Sequence, residues 1–139
     1  LEIGSAIGYS AIRMALVSDD IYVTTIEKDI DRYNIAIKNI NKFNLSNRIN
    51  IILDDALNTK IDGLFDLIFI DASKGNNINF FKKYSANLSK SGIIITDNLS
   101  FQRGIVKKIK DFIIFLDNNT EFVTKYVPVG DKIAISKRK

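Results

Sequence analysis

The chain has 139 residues, 46% of them hydrophobic, and a net charge of +4, which describes a globular protein with a substantial core, not a disordered or fibrous polymer. It contains no Cys and no His, which excludes disulfides, thiolate nucleophiles, thiolate or imidazole metal sites and the commonest general base; any site must run on carboxylates, amides, hydroxyls, Lys and Arg. No apolar run approaches the roughly 18–20 residues that cross a bilayer and nothing resembles a secretory leader, so no membrane partner is expected and the cytoplasm is the expected compartment.

Leu1-Glu2-Ile3-Gly4 reads as the tail of a buried strand running into a glycine turn, and the expectation is that residues preceding Leu1 are missing from this chain. Further strands are predicted at Ile21–Ile26, Ile49–Leu53, Leu64–Ile70 and Ile93–Thr96, with helices over Tyr9–Val17, Asp29–Phe43, Ile78–Leu88 and Arg103–Leu116. Ile30, Tyr33, Ile37 and Ile40 recur at helical spacing and are expected to pack on the sheet. Short β-branched runs alternating with helical segments indicate βαβ units around a parallel sheet. The end differs: Glu121–Val127 and Lys132–Ser136 are joined by Pro128-Val129-Gly130-Asp131 without a helix, which predicts an antiparallel hairpin. No repeat or linker interrupts the chain, so residues 1–139 are read as one domain.

The positions of the acids carry the functional information. Ligands of open α/β sheets bind beyond the carboxyl ends of the strands, and each predicted parallel strand ends on Gly or acid: Glu2 and Gly4, Glu27, Asp54 and Asp55, Asp71, and Asp97. Any one of these taken singly is a loop or cap residue; the succession points to a polar ligand. The first loop, Gly4-Ser5-Ala6-Ile7-Gly8-Tyr9-Ser10, spaces its glycines differently from the G-x-G-x-x-G of dinucleotide sites. Glu2 beside it disfavours a pyrophosphate and tolerates a cationic ligand. Glu27 is suited to accept two hydrogen bonds from a ribose diol. Asp71-Ala72-Ser73-Lys74 and Asp97-Asn98 form a second cluster of hard oxygen donors that suits Mg²⁺ or Ca²⁺, against the common use of Asp and Asn as loop caps.

These words, together with Thr25-Ile26-Glu27, Asp55-Ala56, Phe69-Ile70-Asp71-Ala72-Ser73-Lys74 and Ile95-Thr96-Asp97-Asn98, resemble the catechol O-methyltransferase-like family of class I S-adenosylmethionine-dependent enzymes over essentially the whole chain. Asp71-Ala72-Ser73-Lys74-Gly75, Phe80-Phe81 and Ile94-Ile95-Thr96-Asp97-Asn98-Leu99 resemble in particular its bacterial tRNA 5-hydroxyuridine methyltransferases. The resemblance implies a Rossmann-like α/β fold, mostly parallel, whose last strand inserts antiparallel beside the fifth. It implies S-adenosylmethionine bound by Glu2, Gly4, Gly8, Ser10, Glu27, Asp55, Ala56 and Asp71, Mg²⁺ held by Asp71, Asp97 and Asn98, and Lys74 with Asp71 at the reacting oxygen. Two positions depart from the pattern: Asp54 stands where a glycine is frequent, and Asn77 where the tRNA branch often has Tyr.

The implied reaction is metal-assisted transfer of a methyl group to a hydroxyl, with tRNA wobble 5-hydroxyuridine the expected acceptor and a small catechol-like phenol the alternative. A homodimer is compatible with either. A non-catalytic nucleotide- or RNA-binding domain is the rival from another class, favoured if Asp71, Asp97 and Asn98 lie too far apart to share an ion. A NAD-dependent oxidoreductase is disfavoured by the glycine spacing.

Overall fold

The computed structural model of the chain describes residues 1–99 and 106–139, which gather into two compact units, Leu1–Lys60 and Ile61–Lys139.

The first unit runs β1 (Glu2–Ile3), α1 (Tyr9–Ala15), β2 (Val23–Glu27), α2 (Ile30–Lys42) and β3 (Ile49–Leu53). Its strands are parallel with β2 in the middle, in the order β3-β2-β1, and their register sets Glu2 opposite Thr25 and Glu27 opposite Leu53. Ala11, Ile12 and Ala15 of α1 pack with Val23, Ile40, Leu45 and Ile49 into one apolar cluster. Helix α2 starts where Asp29 accepts the backbone N–H groups of Asp31 and Arg32, each at 3.0 Å, a side-chain cap for donors that have no partner within the helix. The backbone N–H of Arg32 is also the main cause that holds the Asp29 carboxyl below its ordinary pKa.

Helix α2 turns the expected face inward, with Tyr33 and Ile37 half-buried, except at its first turn. Ile40 is buried, but Ile30 is 52% exposed, and the wholly buried neighbour is Ala36. Gly8, at φ +83°, comes so close that a Cβ there would lie 3.3 Å from the Ala36 Cβ. At that approach only a small side chain fits at position 36.

The second unit runs β4 (Phe65–Ile70), a 3-10 turn at Lys74–Asn76, α3 (Asn77–Tyr84), a second 3-10 turn at Ser85–Asn87, β5 (Leu88–Thr96), α4 (Val106–Asp117), β6 (Phe122–Val127) and β7 (Ile133–Arg138). The order is β4-β5-β7-β6. Strand β5 is parallel to β4, and β7 is antiparallel both to β5 and to β6, as the terminal hairpin predicts. Of the helix predicted over Arg103–Leu116, residues 103–105 lie outside the described residues.

Strand β5 begins at Leu88, which the periodicity places at the end of a helix. Ser89-Lys90-Ser91-Gly92 has no apolar alternation, yet Phe65 pairs with Leu88 before the register shifts and resumes at Leu67 and Ile93. Gly92 makes room there: a Cβ would stand 2.9 Å from the Asp66 carbonyl oxygen. The core of this unit is aromatic. Phe81 of α3 meets Phe122 of β6 edge-to-face at 5.1 Å and Phe115 of α4 at 5.6 Å, geometry that suits the ring quadrupoles.

Candidate functional site

In the first unit the candidate residues gather at the carboxyl ends of the strands. The loop after β1 alternates in hand, with positive φ at Gly4 (100°), Ala6 (46°) and Gly8 (83°). Two are glycines, for which this conformation is free, and Ala6 adopts it at a cost. The loop is tied to β2, since the N–H groups of Gly4 and Ser5 donate to the Ile26 carbonyl at 3.0 and 3.1 Å. Helix α1 opens directly from Gly8, with no side-chain cap.

Glu2 is fully buried. Its carboxylate accepts the hydroxyl of Ser10 at one oxygen and that of Thr25 at the other, and Ser5 Oγ pairs with the same Thr25 hydroxyl. A buried carboxylate is tolerated only when hydrogen-bonded, and here two hydroxyls on different elements do this. Ser5 and Thr25 are therefore part of the site's framework. Their signal in the sequence is slight: Thr25 is a hydroxyl within β2 and Ser5 one residue of the glycine loop.

Glu27, 6% exposed, accepts the N–H of Ala6 at 2.8 Å through Oε2, and those of Lys28 and Asp29 at 3.0 and 2.9 Å through Oε1. A carboxylate has about four acceptor sites, so three backbone donors occupy most of its capacity. One of them belongs to Ala6, the non-glycine residue of the loop that stands at positive φ. After β3, Asp54 continues the ladder by donating its N–H to the Glu27 carbonyl at 3.0 Å. Its carboxylate accepts the Asp55 N–H at 2.8 Å and the Thr59 hydroxyl at 2.9 Å. Asp55 accepts the Leu57 N–H at 2.9 Å and leads into buried Ala56. The acid at 54, where a glycine is frequent, thus organises its own turn.

In the second unit the β4–β5 register pairs Ile70 with Thr96, and the Asp97 N–H extends the ladder to the Ile70 carbonyl at 3.1 Å. Asp71 and Asp97 accordingly stand on neighbouring strand ends. Asn98, at φ +64°, donates its side-chain N–H to Asp71 Oδ1 at 2.8 Å, and its backbone N–H to Asp97 Oδ1 at 2.6 Å. Burial, and next the negative charge of Asp97, push the Asp71 carboxyl above its ordinary pKa, while the Asn98 hydrogen bond and the Lys74 charge pull it down. Lys74 opens the 3-10 turn that follows, and Asn77, 3% exposed, begins α3 with its amide nitrogen unpartnered.

Among the described residues no three Asp, Glu, His or Cys side chains gather as an ion site. Asp71, Asp97 and Asn98 offer instead two neighbouring carboxylates, with Asn98 donating to the first through its side chain and to the second through its backbone N–H. The carboxylate oxygens, with the Asn98 amide oxygen if that side chain turned its nitrogen away from Asp71, fit a hard divalent cation, which would relieve the repulsion between the two acids.

Comparison with known proteins gives the family of the chain. Residues 1–138 match the O-methyltransferase family. A caffeoyl-CoA O-methyltransferase of Stellaria longipes is 28% identical over 99% of this chain and 67% of its own. A solved Staphylococcus aureus protein, described as a candidate caffeoyl-CoA O-methyltransferase, superposes with a TM-score of 0.92 at 34% identity, over 99% of this chain and 74% of its own. A Bacillus cereus O-methyltransferase solved with S-adenosylhomocysteine (SAH) superposes at 0.88 with 26% identity, over 99% of this chain and 72% of its own. The chain thus spans about two thirds of the length of the curated relatives it matches. With its Rossmann-like α/β fold, mostly parallel sheet and antiparallel terminal hairpin, the chain belongs to the S-adenosylmethionine-dependent O-methyltransferase family.

Proposed function

We propose that the chain is the cofactor-binding and catalytic part of a metal-assisted O-methyltransferase whose acceptor is 5-hydroxyuridine at the tRNA wobble position. The observation that carries this reading is the meeting of Asp71, Asp97 and Asn98 beside Lys74. It is the constellation that a vicinal pair of oxygens, one of them to be methylated, would require.

Within Leu1–Lys60, Gly4, Gly8, Ser10, Glu27, Asp55 and Ala56 would surround S-adenosylmethionine, with Glu2 holding Ser10 in place. The B. cereus relative with bound SAH supports that cofactor. Transfer is a displacement at the methyl carbon: the carbon–sulfur bond breaks as the oxygen–carbon bond forms, the sulfonium becomes a neutral thioether, and the hydroxyl proton passes to solvent. The leaving group is already good, so the protein needs only to orient the acceptor and favour its deprotonated form. Lys74 would do the second by its positive charge. Asp71, Asp97 and Asn98 would hold the divalent cation, which supplies Lewis acidity when bound.

A second reading keeps the chemistry and changes the acceptor to a small catechol-like phenol. Relatives named for caffeoyl-CoA favour it. Mass spectrometry of tRNA nucleosides from cells lacking the protein separates the two. Loss of 5-methoxyuridine-type nucleosides supports the tRNA acceptor, and an unchanged profile overturns it.

A further inference from the structure

The positive charge of the chain is concentrated in one unit. Leu1–Lys60 has seven Lys and Arg against eight Asp and Glu, whereas Ile61–Lys139 has thirteen against eight. Among them, Lys108 reaches the turn that follows Asp71. From α4 its side chain lies across Gly75, so that a Cβ on Gly75 would stand 2.9 Å from Lys108 Nζ and 3.2 Å from its Cδ. Gly75 has no left-handed backbone to explain it; what its missing side chain provides is a path for Lys108. The residue before Gly75 is Lys74, whose charge acts on Asp71. Two ammonium groups on different elements are thereby brought to one turn, and Lys74 is the one whose charge acts on Asp71.

We propose that Lys108, laid over Gly75, is a specificity-determining residue that holds a phosphate group of the methyl acceptor. The inference rests on the reading of Asp71, Asp97, Asn98 and Lys74 as the reaction centre. The same acceptor cannot place its reacting oxygen on both ammonium groups; with Lys74 adjacent to Asp71, the exposed Lys108 is left for a second, anionic part of the molecule. A phosphate fits a flexible ammonium, which binds it as a point charge. It can belong to a polynucleotide backbone or to a phosphate-bearing thioester of a small phenol. A phenol without phosphate gains nothing from Lys108.

The test compares the full chain with Lys108→Ala, Lys108→Arg and Gly75→Ala. The last obliges only the far end of a lysine to move and leaves the charge count intact. Lys90→Ala, at the opposite end of β5 from Asp97, controls for net charge. Methyl transfer is measured on a 5-hydroxyuridine-containing tRNA stem-loop, on the free 5-hydroxyuridine nucleoside, on caffeoyl-CoA and on caffeic acid. The expected result is a fall on the order of tenfold in kcat/KM for whichever phosphate-bearing acceptor is used, carried by KM, relative to its phosphate-free counterpart. It should appear in Lys108→Ala and Gly75→Ala and be largely restored in Lys108→Arg. Stem-loop against thioester identifies the source of the phosphate. Independently of turnover, anisotropy of the labelled stem-loop should lose about 0.7–0.9 from its log–log salt slope in Lys108→Ala if the source is RNA. An unchanged ratio in both Lys108→Ala and Gly75→Ala overturns the inference, as does an equal loss in Lys90→Ala. If wild type methylates neither stem-loop nor nucleoside, the tRNA reading fails, and Lys108 is then decided on the thioester pair. If no acceptor is methylated, binding of the stem-loop and of coenzyme A decides it, and equal affinity in wild type and Lys108→Ala overturns it.

Discussion

Glu27 and Ala6 are joined by a hydrogen bond of 2.8 Å, so the acid that ends β2 fixes the strained residue of the loop that follows β1. Since that carboxylate also accepts two N–H groups of its own turn, Glu27 has a structural duty beside any contact with a ribose. Replacing Glu27 with Ala should weaken S-adenosylmethionine binding by roughly 1–3 kcal/mol and lower the melting temperature of the cofactor-free protein as well. Calorimetry and thermal melts of the two proteins measure both. Unaltered affinity removes Glu27 from the cofactor site, and an unaltered melt denies it the loop-holding role.

Gly8 is required twice, for its φ of +83° and for its approach to Ala36. Gly8→Ala should destabilise the protein by about 1–3 kcal/mol through backbone strain alone, with a further steric contribution at the 3.3 Å contact. Adding Ala36→Gly should relieve the steric part while bringing its own helix-interior cost of roughly 0.5–1 kcal/mol, read from the Ala36→Gly single variant. Urea titrations of the single and double variants test this, and a Gly8→Ala protein as stable as wild type contradicts it.

The cation is expected at Asp71, Asp97 and Asn98. Exhaustive EDTA treatment should suppress methyl transfer and Mg²⁺ restore it, because the donors are all oxygens. An Asp97→Ala/Asn98→Ala protein should lose more turnover than the roughly 10–100-fold that removal of a mere outer-shell partner costs, and Mn²⁺ titrated into it should show no tight site by magnetic resonance. Normal turnover after chelation, or in the double variant, sinks the metal reading.

Tyr126 links β6 to the end of α4 by donating its hydroxyl to Asp117 Oδ1 at 2.7 Å. Burial first, then that hydrogen bond and the Asp117 charge, raise the phenol's pKa far above its ordinary value. A group whose pKa is raised on folding stabilises the fold fully below its unfolded value, here about 10, and loses that contribution as the pH climbs toward the folded one. Phenolate absorbance should therefore show a tyrosine that resists ionisation well beyond pH 10 and is absent from Tyr126→Phe. The Phe variant should be about 1 kcal/mol less stable at neutral pH and should lose this disadvantage at high pH. A Tyr126 that titrates near pH 10 rules this out.

Much of the architecture was legible because its causes are local. β3 falls on Ile49–Leu53 as the apolar run indicates, and the terminal hairpin turns at Pro128-Val129-Gly130-Asp131 because no residues are left for a crossover helix. The acids at strand ends were legible too, since they close or directly follow the apolar runs, although Glu2 lies within β1 and is fully buried. Which partner each acid takes was not. The hydroxyls that satisfy Glu2, the Ala6 amide held by Glu27, and the path of Lys108 over Gly75 each join residues distant in sequence. So does the pairing of Phe65 with Leu88 that makes a strand of polar residues. These depend on strand register and on how closely two backbones approach. Hydrophobic period decides which residues turn inward along one element; it does not contain the distance to the next, and that distance set Ala36 against Gly8 and gave two of the candidate carboxylates their internal partners.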